Sequence, residues 1–361
     1  MIRRLWLALI GPIDAPLMVM TAILIGFAFV VLASASPDRL AAQAVNIAAA
    51  LLVMRIATQM PPQRLMHAAV PLYLFGILLL IAVALVGDVS KGARRWLNLG
   101  ITRIQPAEIM KIAMPLMLAW YFQKREIAIR FYDYAVAAIL LLLPVALIAK
   151  QPDLGTAILV LSAGFYVIFF AGLPWKFIVG LGVAGLAAIP MVWPLLHDYQ
   201  RARVLTLFDP ESDPLGKGFH IIQSTIAVGS GGVFGKGWGQ GTQTQLEFIP
   251  ERHTDFIFAV VSEEWGLLGN LALLVVYSLL IARGLMIAAE APTLFSRLLA
   301  GSITLMFFTY AFVNMGMVSG ILPVVGIPLP FISYGGTSLV TLFLGIGILM
   351  SIHRNRMLVQ K

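Results

Sequence analysis

Residues 15–35 read APLMVMTAILIGFAFVVLASA and contain no charged side chain. A membrane-spanning helix needs about 20 consecutive apolar residues, because each residue adds about 1.5 Å and the hydrocarbon core is about 30 Å thick. The run is longer than the apolar region of a cleavable signal peptide, and its small residues, Ala33, Ser34 and Ala35, come only at its end. The stretch therefore predicts a first transmembrane helix.

The composition of the whole chain agrees with this prediction. Of its 361 residues, 60% are apolar and 12% are charged, whereas soluble domains are about 45–50% apolar and about 25% charged. This balance excludes a water-soluble globule. The absence of cysteine excludes disulfide scaffolds, thiolate metal sites and cysteine nucleophiles. We expect one all-α polytopic membrane domain over residues 1–361.

Nine further apolar runs bring the predicted number of transmembrane helices to about ten. The predicted spans cover residues 15–35, 41–60, 66–86, 106–122, 132–149, 154–172, 176–196, 256–282, 298–318 and 335–352. An even number places both termini on one side of the membrane. The soluble-looking segment 197–255 is then one large extracytoplasmic loop between helices 7 and 8.

The net charge of +8 is divided between the two faces. Thirteen of the 25 Lys and Arg residues fall on the side of the termini, which the positive-inside rule makes cytoplasmic. Eleven fall on the opposite face, and Lys111 lies within a span. Lys91, Arg94, Arg95 and Arg103 crowd one short extracytoplasmic segment against that rule, so either a function or a misplaced span must explain them.

The stretch from Gly229 to Gly241 is rich in glycine and predicts loop or re-entrant backbone. Its glycines do not fit the spacing of GxGxxG or GxxxxGK[ST], so a nucleotide-binding loop is not indicated. Closely spaced glycines expose backbone N–H groups that are able to cradle a phosphate. Flexible turns are the equally open alternative.

Gln105-Pro-Ala-Glu-Ile-Met-Lys111 opens the fourth predicted span. Glu108 and Lys111 are three residues apart, so they lie on one helix face and can pair. Helix capping by Gln105 and a favourable acidic first turn would also explain part of the pattern. Lys111 lies a further turn into an apolar helix, where a charge is costly and usually functional.

Glu251-Arg-His-Thr-Asp-Phe-Ile-Phe258 carries a polar cluster directly into the eighth span. Asp255 is either a helix cap or a partly desolvated carboxylate that accepts a proton. Zinc on His220 and His253 is disfavoured by the absence of cysteine and of HExxH spacing. Oxygen-ligated Mg²⁺ or Mn²⁺, held by Asp255 and a substrate phosphate, is a better candidate.

The stretch from Gly320 to Ser338 contains three prolines and several glycines among apolar residues. Such backbone must be buried in protein or line a cavity, which Ser333 and Tyr334 would then face. A re-entrant plug that binds no ligand is the equally open alternative. Asp153 follows a proline at the start of the sixth span. We expect it mainly to cap that helix and secondarily to line the cavity.

The polar groups and broken helices described above predict an outer-leaflet site for an anionic, lipid-linked substrate. A lipid-phosphate enzyme, a lipid flippase and an ion-coupled transporter all remain open at this point.

Six stretches, in order along nearly the whole chain, resemble motifs of the SEDS family (shape, elongation, division and sporulation). They are Lys91-Gly-Ala-Arg-Arg-Trp-Leu97, Gln105-Pro-Ala-Glu-Ile-Met-Lys111, Gln151-Pro-Asp-Leu-Gly-Thr156, Gly235-Lys-Gly-Trp238, Gln245-Leu-Glu-Phe-Ile-Pro-Glu-Arg-His-Thr-Asp-Phe-Ile-Phe-Ala-Val260 and Leu329-Pro-Phe-Ile-Ser-Tyr-Gly-Gly336. The residues Gln-Leu-Glu-Phe-Ile-Pro-Glu-Arg before His253 and the short N-terminus resemble the elongation branch of the family more than the division branch. The division branch is the alternative within the family.

The resemblance implies a ten-helix glycosyltransferase that polymerises lipid II into glycan strands on the periplasmic face of the bacterial inner membrane. It also implies a class B penicillin-binding protein, similar to penicillin-binding protein 2, as the transpeptidase partner, together with other elongation-complex proteins and no nucleic acid. The family's essential aspartate falls on Asp255, and its Glu/Lys pair falls on Glu108 and Lys111.

In this reading Asp255 is the general base for the acceptor hydroxyl. The charge of the leaving diphosphate is stabilised by Arg95, Lys111, Arg252 or a divalent cation. Further candidates for substrate binding are Lys91, Asp153, Lys236, Ser333 and Tyr334. A lipid II flippase would use the same cavity without forming a bond, and a scaffold for the transpeptidase would not need the three candidate catalytic residues.

Overall fold

The computed structural model describes residues 13–90, 93–98, 103–195, 201, 205–207, 209, 217–249 and 251–359. About three quarters of these residues are helical. The α-helices are α1 Ala15–Ala35, α2 Leu40–Gln59, α3 Pro62–Val86, α4 Pro106–Lys124, α5 Phe131–Lys150, α6 Leu154–Phe170, α7 Trp175–Val192, α8 Lys217–Ser230, α9 Thr242–Gln245, α10 Ile257–Ala289, α11 Leu294–Val318 and α12 Thr337–Val359. Short 3₁₀ helices cover Pro37–Arg39 and Trp193–Leu195.

Each predicted span coincides with one of these helices. In the described part of the chain, seven helices are long and apolar enough to cross a bilayer. One of them, Pro37–Gln59, consists of the first 3₁₀ helix and α2 together. Several helices extend beyond the predicted ranges, since α3 begins at Pro62 and α10 ends at Ala289. These extensions carry charged residues such as Arg64 and Arg283, which an apolar-run criterion leaves out.

Helix α11 is the centre of the bundle. About 78% of the 18 residues in its most apolar stretch are buried inside the protein, the largest share among the seven candidate spans of the described chain. It packs against α4, α6, α10 and α12. Because α11 is enclosed on nearly all sides, the polar side chains that it carries must find partners inside the protein.

The cation-rich segment before α4 contains β-structure that was not predicted. Strands β1 Asp88–Ser90, β2 Ala93–Asn98 and β3 Arg103–Ile104 pair antiparallel in the order β1-β2-β3. Leu97 lies opposite Ile104 in this register. Strands of two to six residues are too short for a clear alternation of apolar and polar residues. The all-α prediction therefore holds for the spans and not for this segment.

The predicted loop 197–255 is not irregular throughout, because its described part contains α8 and α9. Between them, the glycine-rich stretch joins α10 at a kink centred on Gly266, whose φ is 63°. The N–H groups of residues 267 and 268 donate to the carbonyls of residues 232 and 233 at 2.9 and 3.1 Å. Those of residues 236 and 237 donate to the carbonyls of residues 263 and 264 at 3.0 Å. The stretch thus supplies the hydrogen bonds that the broken helix lacks.

Candidate active site

Asp255 lies in a run of turns, residues 251–256, that leads directly into α10. Its side chain is half-buried. The N-cap of α10 is the following residue, Phe256, and no side-chain cap accompanies it. The N-cap position thus belongs to Phe256, and the Asp255 carboxylate lies one residue earlier, at the entrance of the helix.

Residues 319–336, between α11 and α12, form the predicted non-helical segment, and this segment holds the Asp255 turn in place. The N–H of Tyr334 donates to the carbonyl of His253 at 2.8 Å. The hydroxyl of Ser333 donates to the carbonyl of Thr254 at 2.6 Å and accepts from the N–H of Leu329 at 2.7 Å. The backbone on the N-terminal side of Asp255 is thus bonded to the broken segment at two successive residues.

These bonds change the role expected for Ser333. The sequence predicts that its hydroxyl faces a cavity, but Ser333 is only 4% exposed and its hydroxyl is bonded to backbone. A proline-broken segment leaves unpaired backbone groups that a nearby hydroxyl can satisfy. Ser333 therefore holds the Asp255 turn, and its hydroxyl is engaged with backbone instead of facing a cavity.

Tyr334 is partly exposed and lies between two polar groups at the surface of the site. The guanidinium carbon of Arg39 is 5.1 Å from the centre of its ring, and the ring of His253 is 5.8 Å away at 65°. Burial lowers the pKa of His253, and the positive charge of Arg39 lowers it further. His253 is therefore neutral near pH 7.

The predicted pair of Glu108 and Lys111 is present and is part of a larger network. Lys111 Nζ donates to Glu108 Oε1 at 2.6 Å and to the hydroxyl of Tyr310 at 2.7 Å. The hydroxyl of Thr341 donates to Glu108 Oε2 at 3.1 Å. All four side chains are buried. A buried ammonium is retained only when its charge is compensated, and here a carboxylate and a hydroxyl compensate it.

Three polar residues of the site were missed by sequence reasoning, and each interrupts an apolar run. Gln43 and Asn314 join Tyr310 in being fully or almost fully buried. Gln43 contacts the broken segment, donating to the carbonyl of Ser333 and accepting from the N–H of Gly335, both at 3.3 Å. Amides at membrane depth are costly without partners, and this was the available signal.

A cavity of about 420 Å³ joins the Glu108 network to the end of the broken segment. Its polar lining consists of Asn46, Gln105, Glu108, Thr337 and Thr341, and the remainder is mostly aliphatic. The volume lies in the usual range for ligand sites, which are about 300–1,000 Å³ and mainly apolar with a few convergent polar groups.

Asp153 is a helix cap, as predicted, and also belongs to the site. Its carboxylate accepts from the N–H of Thr156 at 3.2 Å and from the amide of Gln105 at 2.8 Å. Arg95 donates to the carbonyl of Pro152, next to Asp153, and its buried Nε has no partner among the described residues. The Arg95 guanidinium is therefore held beside the first residues of α4 and α6. Lys91, another predicted cation, lies outside the described residues.

The other two predicted cations pair with protein groups. Lys236 Nζ lies 2.8 Å from Oε1 of Glu263, which is fully buried and also accepts from both backbone and hydroxyl groups of residues 242–244. Arg252 donates to the carbonyl of Ala35 at 2.7 Å and to Glu247 at 2.9 Å. Both side chains tie the segment between α7 and α10 to the bundle, and their part in substrate binding stays a prediction.

The N–H groups of the glycine-rich stretch are also engaged. Those of residues 235–237 donate to carbonyls at 2.8–3.0 Å, so a phosphate cradle is not supported at these positions. A Cβ on Gly235 would lie 2.1 Å from the carbonyl oxygen of Glu264. Gly235 is therefore required for close contact with α10, which is neither of the two alternatives considered from sequence.

A divalent cation at Asp255 would depend on the substrate for its ligands. In the part of the chain that the structure describes, no three His, Asp or Glu side chains are grouped so that they could hold a metal. His220 stacks on Phe256 at 5.8 Å, and burial lowers its pKa. A resident metal does not fit these donors, and the prediction of Mg²⁺ or Mn²⁺ shared with a substrate phosphate is untested.

The chain is similar to known proteins over most of its length. The model of the FtsW/RodA/SpoVE family, described as cell cycle protein, matches residues 8–358. The chain is 52% identical over 349 residues to the peptidoglycan glycosyltransferase MrdB of Escherichia coli strain K12, covering 96% of this chain and 94% of that protein. It is 39% identical over 290 residues to a probable peptidoglycan glycosyltransferase FtsW of Geobacter metallireducens, covering 79% and 76%.

Two solved structures share the fold. The rod shape-determining protein RodA of Thermus thermophilus superposes with a TM-score of 0.73 at 34% identity, covering 96% of this chain and 98% of that one. A chain from a peptidoglycan synthase complex, described as coordinating polymerization and crosslinking, superposes with a TM-score of 0.84 at 41% identity, covering 96% and 99%. The resemblance to the SEDS family is thus confirmed: the chain is a multi-pass membrane protein that belongs to the FtsW/RodA/SpoVE family of cell cycle proteins.

Proposed function

We propose that this protein is a peptidoglycan glycosyltransferase of the elongation type, which polymerises lipid II into glycan strands at the periplasmic face of the inner membrane. The observation that carries the proposal is the position of Asp255, a half-buried carboxylate whose turn is bonded to a broken, buried segment that borders a mainly aliphatic cavity. The 52% identity to a peptidoglycan glycosyltransferase over 96% of the chain supports the same reaction.

In the proposed reaction Asp255 acts as general base. The acceptor sugar hydroxyl attacks C1 of the donor, so a C1–O bond forms and the bond from C1 to the diphosphate breaks. The proton of the hydroxyl passes to the Asp255 carboxylate. Because a polyprenyl diphosphate is already a good leaving group, a second carboxylic acid is not required.

The diphosphate needs positive charge near its oxygens as it leaves. Lys111 is the best placed cation, since it is buried and is fixed by Glu108 and Tyr310. The aliphatic lining of the neighbouring cavity suits the adjoining polyprenyl chain. Arg95 is the second candidate for the diphosphate, since its buried Nε lacks a partner among the described residues.

The proposal includes ten membrane-spanning helices with both termini in the cytoplasm and the segment 197–255 outside. This orientation is supported by the positive-inside rule, because 13 of the 25 Lys and Arg residues fall on the side of the termini. Helices α4, α6 and α7, which fall outside the seven clear candidates, would be the remaining spans, since each coincides with one of the predicted apolar runs.

The proposal also includes a class B penicillin-binding protein as partner. The support is the likeness to a chain from a peptidoglycan synthase complex that coordinates polymerization and crosslinking. A polymerase and a transpeptidase act on the same growing strand, so holding them together shortens the path between the two reactions.

The proposal is tested with purified protein and fluorescent lipid II. We expect Asp255→Asn, which keeps the size of the side chain and removes the base, to abolish glycan formation while the protein elutes as folded. Asp88→Asn, which changes an exposed carboxylate in the segment before α4, is the matched control and should polymerise normally. Near-normal glycan formation by Asp255→Asn would rule out the base assignment.

A vesicle translocation assay run beside the polymerisation assay separates the enzyme from a lipid II flippase. A flippase would move labelled lipid II across the bilayer without making strands. Translocation that survives Asp255→Asn, in a protein that never polymerises, would replace the proposed function with transport.

A further inference from the structure

Asn314 is a fully buried amide on α11 that joins the Asp255 turn to the broken segment. Its Nδ2 group donates to the carbonyl of Asp255 at 2.8 Å and to the carbonyl of Ile327 at 2.7 Å. Carbonyl oxygens only accept hydrogen bonds, so the NH₂ end of the amide must face them. The orientation of the side chain therefore follows from its two partners.

The two bonds have an energetic cost on the other side of the amide. Oδ1 of Asn314 is buried and has no hydrogen-bond partner in the described part of the chain. Leaving a buried acceptor unpaired costs about 1–3 kcal/mol. If this side chain only filled space, an aliphatic residue would do so without leaving an acceptor unpaired. The two donated hydrogen bonds are therefore what the amide contributes at this position.

The site of these bonds is the backbone of the candidate base itself. The bonds of Ser333 and Tyr334 hold residues 254 and 253, whereas Asn314 holds residue 255. The second partner of Asn314 follows Gly326, where an added Cβ would lie 3.3 Å from Asp255 Oδ2. The segment that Asn314 fixes through Ile327 therefore runs directly along the Asp255 carboxylate.

Asn314 also lies one turn from Tyr310 on the same face of α11. Tyr310 accepts from Lys111, so a single buried helix contacts both the candidate base and the candidate diphosphate-binding lysine. Four residues along a helix correspond to about 6 Å. The spacing between the two chemical groups is thus set by a rigid element.

We propose that Asn314 is a positioning residue for glycosyl transfer: it fixes the backbone of Asp255 against residues 326–327 and so directs the carboxylate at the acceptor hydroxyl. The inference rests on the proposed function, because it gives Asp255 the role of base. Asn314 itself contacts backbone only and takes no proton.

The test compares Asn314→Leu and Asn314→Asp with Ser302→Ala. Ser302 is the matched control, because it is also fully buried on α11 and donates one hydrogen bond to a carbonyl, that of Ala163 on α6, away from Asp255. Asn314→Asp keeps the shape of the side chain, and when protonated it still donates to one carbonyl. It therefore provides a folded variant if the leucine variant does not fold.

We expect the Asn314 variants to lower kcat on lipid II by about 100-fold, the loss typical of a misplaced reacting group, with KM changed little. Ser302→Ala should lose thermal stability and keep its kcat per folded molecule. Wild-type kcat in either folded Asn314 variant would overturn the proposal. Asp255→Asn is measured in parallel: an active Asp255→Asn removes the proposed function, whereas an inactive one beside fully active Asn314 variants removes only the positioning role.

Discussion

Lys111 Nζ lies 2.6 Å from Glu108 Oε1, and the two side chains are only 2% and 11% exposed. Removing one member of such a pair leaves an uncompensated charge, which costs about 3–5 kcal/mol. We therefore expect Glu108→Gln and Lys111→Met each to lower the thermal midpoint in detergent strongly. The double variant, which removes both charges, should recover most of the loss.

The same variants separate stability from chemistry. If Lys111 binds the diphosphate, the double variant will be stable and still inactive on lipid II. A stable double variant that polymerises normally would make the pair purely structural. Thr341→Val, which removes one hydrogen bond to Glu108 and no charge, is the matched control and should cost about 1 kcal/mol.

From the contacts of Lys236 we predict that it stabilises the folded protein and does not bind the substrate. Its ammonium neutralises Glu263, which is fully buried and holds residues 242–244. We expect Lys236→Met to lower the thermal midpoint and leave the KM for lipid II unchanged. Adding Glu263→Gln should restore part of the stability, because the buried charge is then absent. A raised KM with normal stability would return Lys236 to the substrate-binding set.

Gly235 and Gly239 allow backbone strain to be separated from close packing. Both have positive φ, 79° and 71°. A Cβ on Gly235 would meet backbone at 2.1 Å, whereas one on Gly239 would meet nothing within 4 Å. We expect Gly239→Ala to cost about 1–2 kcal/mol, the conformational penalty alone. Gly235→Ala should fail to accumulate as folded protein in membranes. Equal expression and melting of the two variants would contradict the role given to this contact.

The spans were predictable because a bilayer leaves few structural choices. Backbone groups in hydrocarbon must be bonded within the segment, so an uncharged run such as residues 15–35 has to form a helix. Asp153 as a cap and Glu108 beside Lys111 were predictable for a similar reason, since each depends on residues within three positions. Local spacing is enough for contacts of this kind.

The remaining site contacts join residues that are far apart in sequence. Tyr310 is 199 positions from Lys111, and Asn314 is 59 from Asp255. A polar residue in an apolar run indicates that a partner exists, but only helix packing shows which one. The kink at Gly266 was missed for the same reason, because its hydrogen bonds come from a stretch about 30 residues earlier whose glycines also suit a flexible loop.

His253 is expected to make the stability of the protein depend on pH on the acid side. Burial and the charge of Arg39 hold the pKa of His253 below its ordinary value of 6.5. As the pH falls below 6.5, the unfolded chain binds a proton before the folded one does, so the free energy of unfolding decreases until the folded pKa is passed. Thermal midpoints measured between about pH 7.5 and pH 5 should therefore fall less steeply in His253→Gln than in the wild type.

Arg39→Gln should give an intermediate slope, because it removes the charge of Arg39 and leaves the burial of His253 unchanged. Identical slopes in all three proteins would mean that His253 titrates normally and that its contact with Tyr334 does not withdraw it from solvent.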